Sequence, residues 1–497
     1  MQSCNRMPVS KLVWFSVFMM TLGIGQAYAI DQKSGPEELS PVASANATAD
    51  SDFSVPEEGE NRGDVKQAPP TGAAFKIQEE QLTAIVQSPI EQERMQQYLA
   101  DRINHRAIHK SLQTHNGRTV HCVDINAQPA LDNPALRGHT VQLAPHSVQT
   151  SDLPSQKIDA ASMLEPLLEI TQSTVGESQV GHCPDGTVPI REVTAEDLNR
   201  FRSLQDFFAK VPSRIRGTVR SSLDASQKLA LPTHAGPTSQ HQYAHAYRYV
   251  TNWGAQANIN IWQPYTELNS EFSLGQIWVT GGSGTGLQTL EVGVQKYHDL
   301  YGDDQTHLFI YSTRDGYKST GCYNNTCSDF VQVSSSIYPG AALSPTSVYN
   351  GAQYDLNVHW FKDMDGGAWW LNVRGQWVGY YPRSLYNASG VQNHATEIDF
   401  GGEIIDNRNS NLHTATDMGS GSFPSDWWQK AAYMRLLRYN YATTSNPNTV
   451  RYTDATELTT SRSDAACYDI QYSSSSDPNW GAYFFYGGPG YHSVNCR

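Results

Sequence analysis

The sequence lacks several features that would assign it to common functional classes. Basic residues are in the minority, since 35 Lys and Arg stand against 49 Asp and Glu and the formal net charge is −14. Nucleic-acid binders need basic patches that displace counterions, so this balance argues against nucleic acid as a partner. After residue 30, no segment approaches the roughly 18 to 20 continuous apolar residues of a membrane helix. A membrane partner is therefore not expected.

Familiar catalytic motifs are also missing. The sequence contains neither H-E-x-x-H, which marks a zinc protease, nor G-x-S-x-G, which marks a serine nucleophile. The stretch GGSGTG at 281–286 is not followed by Lys-Ser or Lys-Thr, so it is interpreted as a glycine turn and not as a phosphate-binding loop. The 16 histidines are scattered along the chain. We therefore predict neither a metal site nor a cofactor.

The first residues are typical of an exported protein. Arg6 and Lys11 precede an apolar run, and Ala27-Tyr28-Ala29 has the small-x-small form of a signal-peptidase site. We predict a signal peptide at 1–29 and a secreted protein, extracellular or periplasmic. Loss of Cys4 with this signal leaves six of the seven cysteines, and an even number in an exported chain predicts disulfides. Of the about 15 connectivities that six cysteines allow, the spacing suggests Cys322–Cys327, Cys467–Cys496 and Cys122–Cys183.

The N-terminal half divides into a spacer, a small domain and a linker. Residues 30–74 are rich in Pro, Ala, Ser and Glu, which predicts a disordered acidic spacer. Within 75–211 we predict one helix after Ser88, in a capping box with proline in the first turn, and a second opened by Thr194 in TAEDLNRFRSLQDFFAKV. Strand-like pieces such as GRTVHCVDI lie between them, which indicates a small α+β domain. Residues 212–241 mix Pro, Gly, Ser and Arg without a stable period, as an exposed linker does.

The composition changes at about residue 242. From there the chain is dense in Trp, Tyr and Gly, with short alternating segments such as FSLGQIWV, TLEVGVQ and HLFIYST. The stretch GAWWLNVRGQWVGYYP predicts a hairpin closed at Arg374-Gly375, and DWWQKAAYMRLLRY is the one helical candidate. Many short strands in succession predict a mainly β domain at 242–497, an antiparallel β-sandwich or barrel.

Two glutamates occupy similar positions within predicted strands. In ATEIDFGGEIIDNR, strand alternation places Glu403 on the same face as Gly401, and in TLEVGVQ it places Glu291 beside Gly293. Either glutamate alone is compatible with an ordinary surface strand. Together they predict the floor of a groove in a curved sheet, where the glycines leave room for the backbone of a substrate.

Two neighbouring carboxyls can perform acid–base catalysis. Like charges resist coexisting, so one carboxyl stays ionised and takes a proton from water while the other stays protonated and donates one. Because a free glutamate titrates at about 4.3, this pair predicts a hydrolase active in acid. The same pattern fits a glycoside hydrolase, which also uses two carboxyls and stacks sugars on aromatic side chains. A non-catalytic, lectin-like binding module is a third interpretation.

The order of the segments resembles the neprosin family of proline-directed glutamic endopeptidases. The similar segments include EFSLGQIWV, TLEVGVQKYHDLYGD, HLFIYSTRDGYKSTGCYN, GGEI, TDMGSG and YFFYGGPG, across 242–497. In the N-terminal half, VHCVDINAQPALDNPAL and CPDGTVPIR resemble the activation peptide of the family. The resemblance implies a secreted zymogen with a two-sheet β-sandwich that cuts peptides after proline and is inhibited by its own propeptide. It places the catalytic dyad at Glu291 and Glu403.

Other residues of the similar segments are candidates for substrate binding. Gln276 or Tyr317 is a candidate donor to the oxyanion, and an aromatic side chain is expected to stack on a proline ring. The aromatic candidates are Trp278, Trp369, Trp370 and Tyr381, although aromatic residues at strand spacing are also typical of a core. The family commonly has tryptophan where this chain has Val294, a difference expected to change the shape of the groove. Which glutamate is the base stays open.

Overall fold

The computed structural model describes residues 87–103, 106–147, 167–168, 171–174, 177–210, 241–408, 413–442, 450–492 and 496. The predicted signal peptide, the acidic spacer and nearly all of the predicted linker lie outside these described residues. The boundaries proposed for those segments therefore remain predictions.

The helices of the described residues are mostly short. They are α1 (Pro89–Ile103), α2 (Ala195–Asn199), α3 (Leu204–Phe208) and α4 (His298–Tyr301). Helix α1 begins where the capping pattern predicts, and the backbone N–H of Glu91 donates to Ser88 Oγ at 3.3 Å. Among the described helices, none has the length and apolar character needed to cross a bilayer.

The second predicted helix is two helices, so the prediction of one continuous helix is wrong. Thr194 caps α2 in a reciprocal capping box with Asp197. Ser203 then interrupts the helical pattern, because its side chain accepts from the backbone N–H of Asp206 at 3.1 Å and starts α3. A polar residue suited to a cap thus begins a second, separate helix.

A small sheet belongs to the N-terminal half. It has three antiparallel strands in the order β1 (Ile108–Gln113), β2 (Thr119–Asp124) and β6 (Thr187–Arg191). Three short strands lie between β2 and β6 in the chain, namely β3 (Leu167–Leu168), β4 (Thr171–Thr174) and β5 (Glu177–Val180). With α1 to α3, this sheet forms the predicted α+β domain.

Two large antiparallel sheets form the C-terminal half. The seven-stranded sheet has the order β12-β11-β10-β9-β18-β7-β21 and the nine-stranded sheet the order β13-β17-β16-β15-β8-β19-β23-β22, with β20 paired to β19. The strands are β7 (His241–Asn252), β8 (Gly254–Asn260), β9 (Phe272–Gly281), β10 (Gln288–Tyr297), β11 (Thr306–Ser312), β12 (Cys322–Tyr323), β13 (Val331–Gln332), β14 (Leu343–Ser344), β15 (Asp355–Lys362), β16 (Trp369–Val373), β17 (Gln376–Tyr381), β18 (Ala395–Ile405), β19 (Ala432–Ala442), β20 (Val450–Asp454), β21 (Thr459–Arg462), β22 (Asp469–Ser474) and β23 (Ala482–Gly487).

The core lies between these two sheets, which confirms the predicted antiparallel β-sandwich. Leu290 and Val292 of β10 and Phe400 and Ile404 of β18 are fully buried in it, as the alternation predicts. The other faces of β10 and β18 are therefore free to carry Glu291 and Glu403. The predicted hairpin is also present, since β16 and β17 are joined at Arg374 (φ 54°) and Gly375 (φ 77°).

The predicted helix in DWWQKAAYMRLLRY is wrong, because most of that segment is strand β19. This strand is buried on both faces, with Met434 and Leu437 in the main core and Tyr433 in a separate aromatic cluster. A register shift against β8 lies between Arg435 and Arg438, and Leu436 has φ 52°. This irregularity interrupts the two-residue alternation of inward and outward side chains. The resulting spacing of apolar residues resembles that of an amphipathic helix.

The N-terminal half packs directly on the sandwich. Met95 of α1, Leu198 of α2 and Phe207 of α3 are buried against Phe272 and Tyr297 on the outer face of the seven-stranded sheet. The structure contains the disulfides Cys122–Cys183, Cys322–Cys327 and Cys467–Cys496, which are the pairs suggested by the spacing. The α+β domain thus covers the sheet face that carries both glutamates.

Candidate active site

The seven-stranded sheet brings Glu291 and Glu403 to one place. Strand β9 lies between β10 and β18, with Trp278 opposite Glu291 and Leu274 opposite Glu403. Gln276 of β9 lies between these two positions, and its neighbours across the sheet are Gly293 and Gly401. Both glutamates are almost fully buried. The two carboxylates are therefore placed on one face, diagonally across Gln276.

The glycines beside the glutamates are required by neighbouring strands. A Cβ atom on Gly293 would overlap the carbonyl oxygen of Gly275. A Cβ atom on Gly401 would lie 2.5 Å from Cα of His245. In the structure these two positions need glycine because the adjacent backbones approach closely. The sequence pattern alone predicts a different reason, namely space for the backbone of a substrate.

One lysine of the N-terminal half joins both carboxylates. Lys210 Nζ lies 2.7 Å from Oε2 of Glu291 and 2.7 Å from Oε2 of Glu403. The Lys210 backbone N–H donates to Tyr311 Oη at 3.3 Å, and the ammonium lies 5.5 Å from the ring centroid of Trp278. Burial alone would lower the pKa of Lys210, but the two carboxylates raise it above its ordinary value. The lysine is therefore charged where it sits.

Glu403 is surrounded by donors that favour its ionised form. His241 Nδ1 lies 2.6 Å from Oε1 of Glu403, and Gln276 Nε2 donates to Oε2 at 3.0 Å. Burial would raise the pKa of the Glu403 carboxyl, but Lys210 and His241 outweigh it and lower the pKa to about 2. Glu403 is a carboxylate throughout the ordinary pH range in this state.

Apart from Lys210, the hydrogen-bond donors that the described residues provide to Glu291 are neutral hydroxyls. Tyr317 Oη donates to Oε1 of Glu291 at 2.6 Å, and Thr289 Oγ1 donates to the same oxygen at 2.9 Å. Burial, followed by the Glu291 carboxylate, raises the pKa of Tyr317 well above its ordinary value, so the phenol keeps its proton. Within the described part of the chain, the two glutamates thus differ in their permanent surroundings, because Glu403 has an imidazole partner and Glu291 has none.

Tyr317 is held in position by its loop. Its backbone has φ 62°, in the left-handed region that tyrosine rarely adopts. Thr313 Oγ1 accepts from the Tyr317 backbone N–H at 3.0 Å, and the Asp315 carboxylate accepts from the backbone N–H groups of Lys318 and Ser319. These contacts stabilise an unfavourable backbone angle and direct the phenol to Glu291.

A second cluster of titratable groups continues along the same face of β18. Asp399 Oδ2 lies 2.7 Å from His245 Nδ1, and Glu397 Oε2 accepts from Thr280 Oγ1 at 3.0 Å. Burial, followed by the charge of Asp399, raises the pKa of Glu397 to about 7. Burial would lower the pKa of His245, but Asp399 raises it overall. The groove floor beyond the two glutamates is therefore polar and sensitive to pH.

The sequence-predicted residues divide into two groups. Glu291, Glu403, Gln276, Trp278 and Tyr317 come together around Lys210. The structure does not bring Tyr381 to this site: its ring is buried in the sandwich core against Phe330, Trp360 and Tyr386.

The remaining predicted aromatic residues also lie away from Glu291 and Glu403. Trp369 lies in the sandwich core, and Trp370 belongs to an apolar cluster on the outer side of the nine-stranded sheet. Val294 is buried in the core as well, on the opposite face of β10 from Glu291. The expectation that Val294 alters the groove is therefore wrong, because this side chain packs between the sheets.

Sequence reasoning missed Lys210, His241 and His245. The two histidines had a detectable signal, because HQYAHAYRY places His241, Tyr243, His245 and Tyr247 at alternate positions of one strand. Lys210 had none, since it lies at the end of a predicted helix, where a lysine is an ordinary residue. Its role depends on a contact across 81 residues with Glu291.

The groups of possible metal ligands among the described residues do not fit an ion. One combines His413 with Cys467 and Cys496, and the other combines Asp329 with Cys322 and Cys327. The cysteines of each group are joined in a disulfide, so they have no thiolate to offer. Neither group provides a competent donor set.

Several solved structures are similar in part to this chain. A Scytalido-glutamic peptidase bound to a peptide-based transition-state analogue has 10% sequence identity, covers 51% of this chain and 98% of its own, and gives a TM-score of 0.26. SCP-B, a member of the Eqolisin family of peptidases in complex with a tripeptide, has 10% identity, the same coverage and a TM-score of 0.25. A homodimeric agglutinin from chicken liver has 10% identity, covers 32% of this chain and 93% of its own, and gives 0.18.

Family models match both halves of the chain. The model of the neprosin activation peptide matches residues 111–247, and the neprosin model matches residues 269–489. The first range contains most of the three-stranded sheet, α2, α3 and Lys210, and the second contains Glu291 and Glu403. The chain therefore belongs to the neprosin family, with an activation peptide in front of its neprosin domain.

Proposed function

We propose that this chain is the secreted zymogen of a glutamic peptidase that hydrolyses peptide bonds after proline in acid. The observation that carries the proposal is the position of Lys210 Nζ, 2.7 Å from a carboxylate oxygen of both Glu291 and Glu403. Two carboxylates that share one ammonium are close enough to share one water or one proton when the ammonium leaves. Membership of the neprosin family and the disulfides are consistent with this function.

In this proposal Glu403 is the general base. His241 and Gln276 keep donating to Glu403 after Lys210 leaves, so the carboxylate stays ionised. It accepts a proton from water as the water oxygen attacks the scissile carbonyl carbon. Gln276 Nε2 then donates to the oxygen that becomes negative, as an amide donor does in an oxyanion hole.

Glu291 is the general acid. Once the lysine is gone its remaining donors are the neutral hydroxyls of Tyr317 and Thr289, so repulsion from Glu403 favours a protonated Glu291. Its proton passes to the leaving nitrogen as the carbon–nitrogen bond breaks, and the proton gained by Glu403 restores the pair for the next cycle. The face of Trp278, which packs on the lysine ammonium in the precursor, is the surface for the proline ring.

The activation peptide keeps the precursor latent. It occupies the catalytic pair with a charged side chain and covers the adjoining face of the sheet with α1, α2 and α3. A peptide substrate cannot reach Glu291 or Glu403 until residue 210 moves away. Processing in the segment 212–241, at Pro212, Pro232 or Pro237 by the enzyme itself or at an arginine by another protease, releases this block.

The test is hydrolysis of a proline-containing peptide by acid-treated precursor, at low and neutral pH. We expect cleavage after proline by the wild type and a loss of at least about a hundredfold in Glu291→Gln and Glu403→Gln. Glu457→Gln is the matched control, because this exposed glutamate pairs with Arg248 and not with any residue of the site. Full activity of either site variant would overturn the proposed mechanism.

A reducing-sugar assay on the same samples tests the glycosidase interpretation, and retained ligand binding in both variants without hydrolysis would favour a binding module.

A further inference from the structure

A second surface of the neprosin domain is covered by the activation peptide. This surface, called here the aromatic face, lies on the outer side of the nine-stranded sheet and consists of Val331, Phe361, Trp370, Trp377 and Tyr380. The ring centroids of Trp370 and Tyr380 are 4.4 Å apart, and those of Trp370 and Trp377 are 5.9 Å apart. Val331, Trp370 and Tyr380 are completely buried in the precursor.

The segment that covers the aromatic face contains a repeated sequence. Residues 128–147 begin with Gln-Pro-Ala-Leu-Asp-Asn-Pro-Ala-Leu, in which each proline starts a short 3₁₀ helix, Pro129–Asp132 and Pro134–Leu136. The residue before each proline is extended, with φ −68° and ψ 155° at Gln128 and φ −64° and ψ 121° at Asn133. These angles are close to those of a polyproline II helix.

Apolar and polar contacts both hold this segment. Ala130 and Leu136 are buried in the same cluster as the aromatic face. The side-chain amide of Gln128 donates to the carbonyl of Gln332 at 2.9 Å and accepts from its backbone N–H at 2.7 Å, so it completes the edge of β13. Tyr380 Oη contacts His139 Nε2 at 2.7 Å and the Gln142 N–H at 3.0 Å.

The end of the segment is held by a buried carboxylate. Asp363 accepts from the backbone N–H groups of His146 and Ser147 and from Ser147 Oγ. None of these contacts involves Glu291 or Glu403, which lie on the other sheet. Blocking of the catalytic pair by Lys210 therefore does not require the aromatic face to be covered.

We propose that the aromatic face is a binding site for proline-containing segments of protein substrates, and that residues 128–147 occupy it only in the precursor. This inference rests on the proposed function, because the face is freed when the activation peptide leaves. Release would expose a patch with four aromatic side chains, and exposed apolar patches of this kind mark interaction sites. Grooves lined by aromatic side chains are a common means of recognising proline-rich segments.

The occupant seen in the precursor defines the chemistry of the ligand. It is a chain in which an extended residue precedes each proline and a short 3₁₀ turn with a small and an aliphatic side chain follows it, and its backbone N–H groups donate to Tyr380 Oη and Asp363. A long substrate that binds here and at the catalytic pair is held at two points, which raises its effective concentration at Glu403. A short peptide cannot reach both sites. The aromatic face should therefore favour long proline-rich proteins over short peptides.

The probe for the test is a synthetic peptide with the sequence of residues 126–147, NAQPALDNPALRGHTVQLAPHS, added to full-length precursor that has been activated in acid. At neutral pH we expect saturable quenching of tryptophan fluorescence, with mass spectrometry verifying that the peptide stays intact. In hydrolysis assays, the probe should raise KM for a long proline-rich protein roughly tenfold or more and should affect a short one-proline peptide far less, since the probe competes with that peptide only as a second substrate. A scrambled peptide is the control.

Variants assign the binding to this face. Tyr380→Phe keeps the ring and removes the hydroxyl that contacts His139 and Gln142, so the probe should bind several-fold more weakly. Tyr472→Phe, which removes a hydroxyl that donates to the Ala455 carbonyl, should bind the probe normally. Equal binding to wild type and Tyr380→Phe, or equal inhibition of long and short substrates, would overturn the proposal.

Binding and hydrolysis are separate measurements, so the two proposals fail separately. If activated protein binds the probe but hydrolyses no peptide, the proposed function fails and the aromatic face stands as a polypeptide-binding site. If the activated protein hydrolyses peptides but does not bind the probe, only the proposed binding role of the aromatic face is excluded. If the fragment containing residues 128–147 stays bound to the activated protein, this binding role is also excluded, because the fragment would keep the aromatic face covered.

Discussion

At the scale of single residues, the ammonium group of Lys210 determines the charge balance of the candidate site. Lys210 places a positive charge between two buried carboxylates, and the pKa of Glu403 falls to about 2. Such a contact cannot be predicted from local sequence, because Lys210 belongs to the activation peptide and its partners lie on two distant strands. The glutamates themselves were predictable, because strand alternation places each of them beside a glycine on a polar face.

Replacing Lys210 tests the block directly. In Lys210→Met the two carboxylates lose their common counter-ion, and we expect the precursor to mature faster and at higher pH than the wild type. The buried pair left without a cation should also cost about 3 to 5 kcal/mol of stability at neutral pH. Maturation is followed by electrophoresis and unfolding by urea denaturation.

Two further lysine variants serve as controls for this experiment. Lys210→Arg keeps the charge and should stay latent. Lys296→Met removes another buried lysine, one that donates to the Pro264 carbonyl, and should also mature at the wild-type rate. Wild-type maturation by Lys210→Met would contradict the role given to this residue.

The pH dependence of precursor stability follows from Glu403. Its pKa is about 2 in the folded precursor against an ordinary value of 4.5, so the unfolded chain binds a proton more readily than the folded one. Folding stability from this group is fully present above about pH 4.5 and is lost as the pH falls toward about 2, by on the order of 3 kcal/mol. Urea unfolding of the precursor between these pH values should show this loss, and Glu403→Gln should lack this component of it.

His241 should set the acidic limit of activity. In the activated enzyme the His241 imidazole still lies 2.6 Å from the Glu403 carboxylate and is among the groups that lower its pKa, so His241→Gln should raise the pKa of the base by roughly one unit. Because the base must be ionised, the acidic limb of the kcat/KM profile should move to higher pH by the same amount. His241→Lys, which restores a positive charge, should move it back. A lower rate with an unchanged pH profile would indicate a purely structural role.

At the scale of elements, strand alternation predicted most of the sandwich and failed where a strand is irregular or buried on both sides. Strands β10 and β18 alternate strictly and were predicted with the correct faces. Strand β19 carries apolar residues on both faces and a bulge near Leu436, so its pattern resembles that of a helix. Propensity and period describe isolated elements, whereas sheet partners decide what a doubly buried strand becomes.

The close approach of β9 and β10 predicts a sensitive position. In Gly293→Ala the new methyl group would overlap the Gly275 carbonyl oxygen, so the strands must separate and the free energy of unfolding should fall by about 2 to 3 kcal/mol. The matched control is Gly286→Ala, at a position where a Cβ meets no atom within 4 Å. Urea denaturation of the two variants measures the difference. Equal stability would show that the backbone spacing at Gly293 is not restrictive.

At the scale of the whole molecule, the activation peptide packs against both sheets of the sandwich. Helices α1 to α3 pack on the seven-stranded sheet, and residues 128–147 pack on the nine-stranded sheet. The family resemblance implied an inhibitory propeptide, but the second contact surface could not be predicted, since the prolines that start its turns occur in an otherwise irregular stretch. Only the folded chain places those turns against aromatic rings of another domain.

This arrangement limits where the chain can be processed. Glu403 keeps its imidazole partner only if the new N-terminus lies at or before His241, so cleavage should fall between residues 211 and 241. N-terminal sequencing of acid-matured protein should locate it there. Precursor carrying Glu403→Gln should not mature by itself, whereas added wild-type enzyme should process it. A fully active product that begins after residue 241 would contradict the importance of this pair.

The shared lysine also determines the proton balance of activation. On our proposal, the locked precursor holds two anions and one cation, while the working pair holds a single anion and one retained hydrogen. Each molecule that opens must therefore take up one hydrogen ion from the solvent, and mass action favours opening about tenfold for each unit of acidification. A precursor kept near neutral pH should thus stay closed, and acidification of the surroundings should by itself favour its opening.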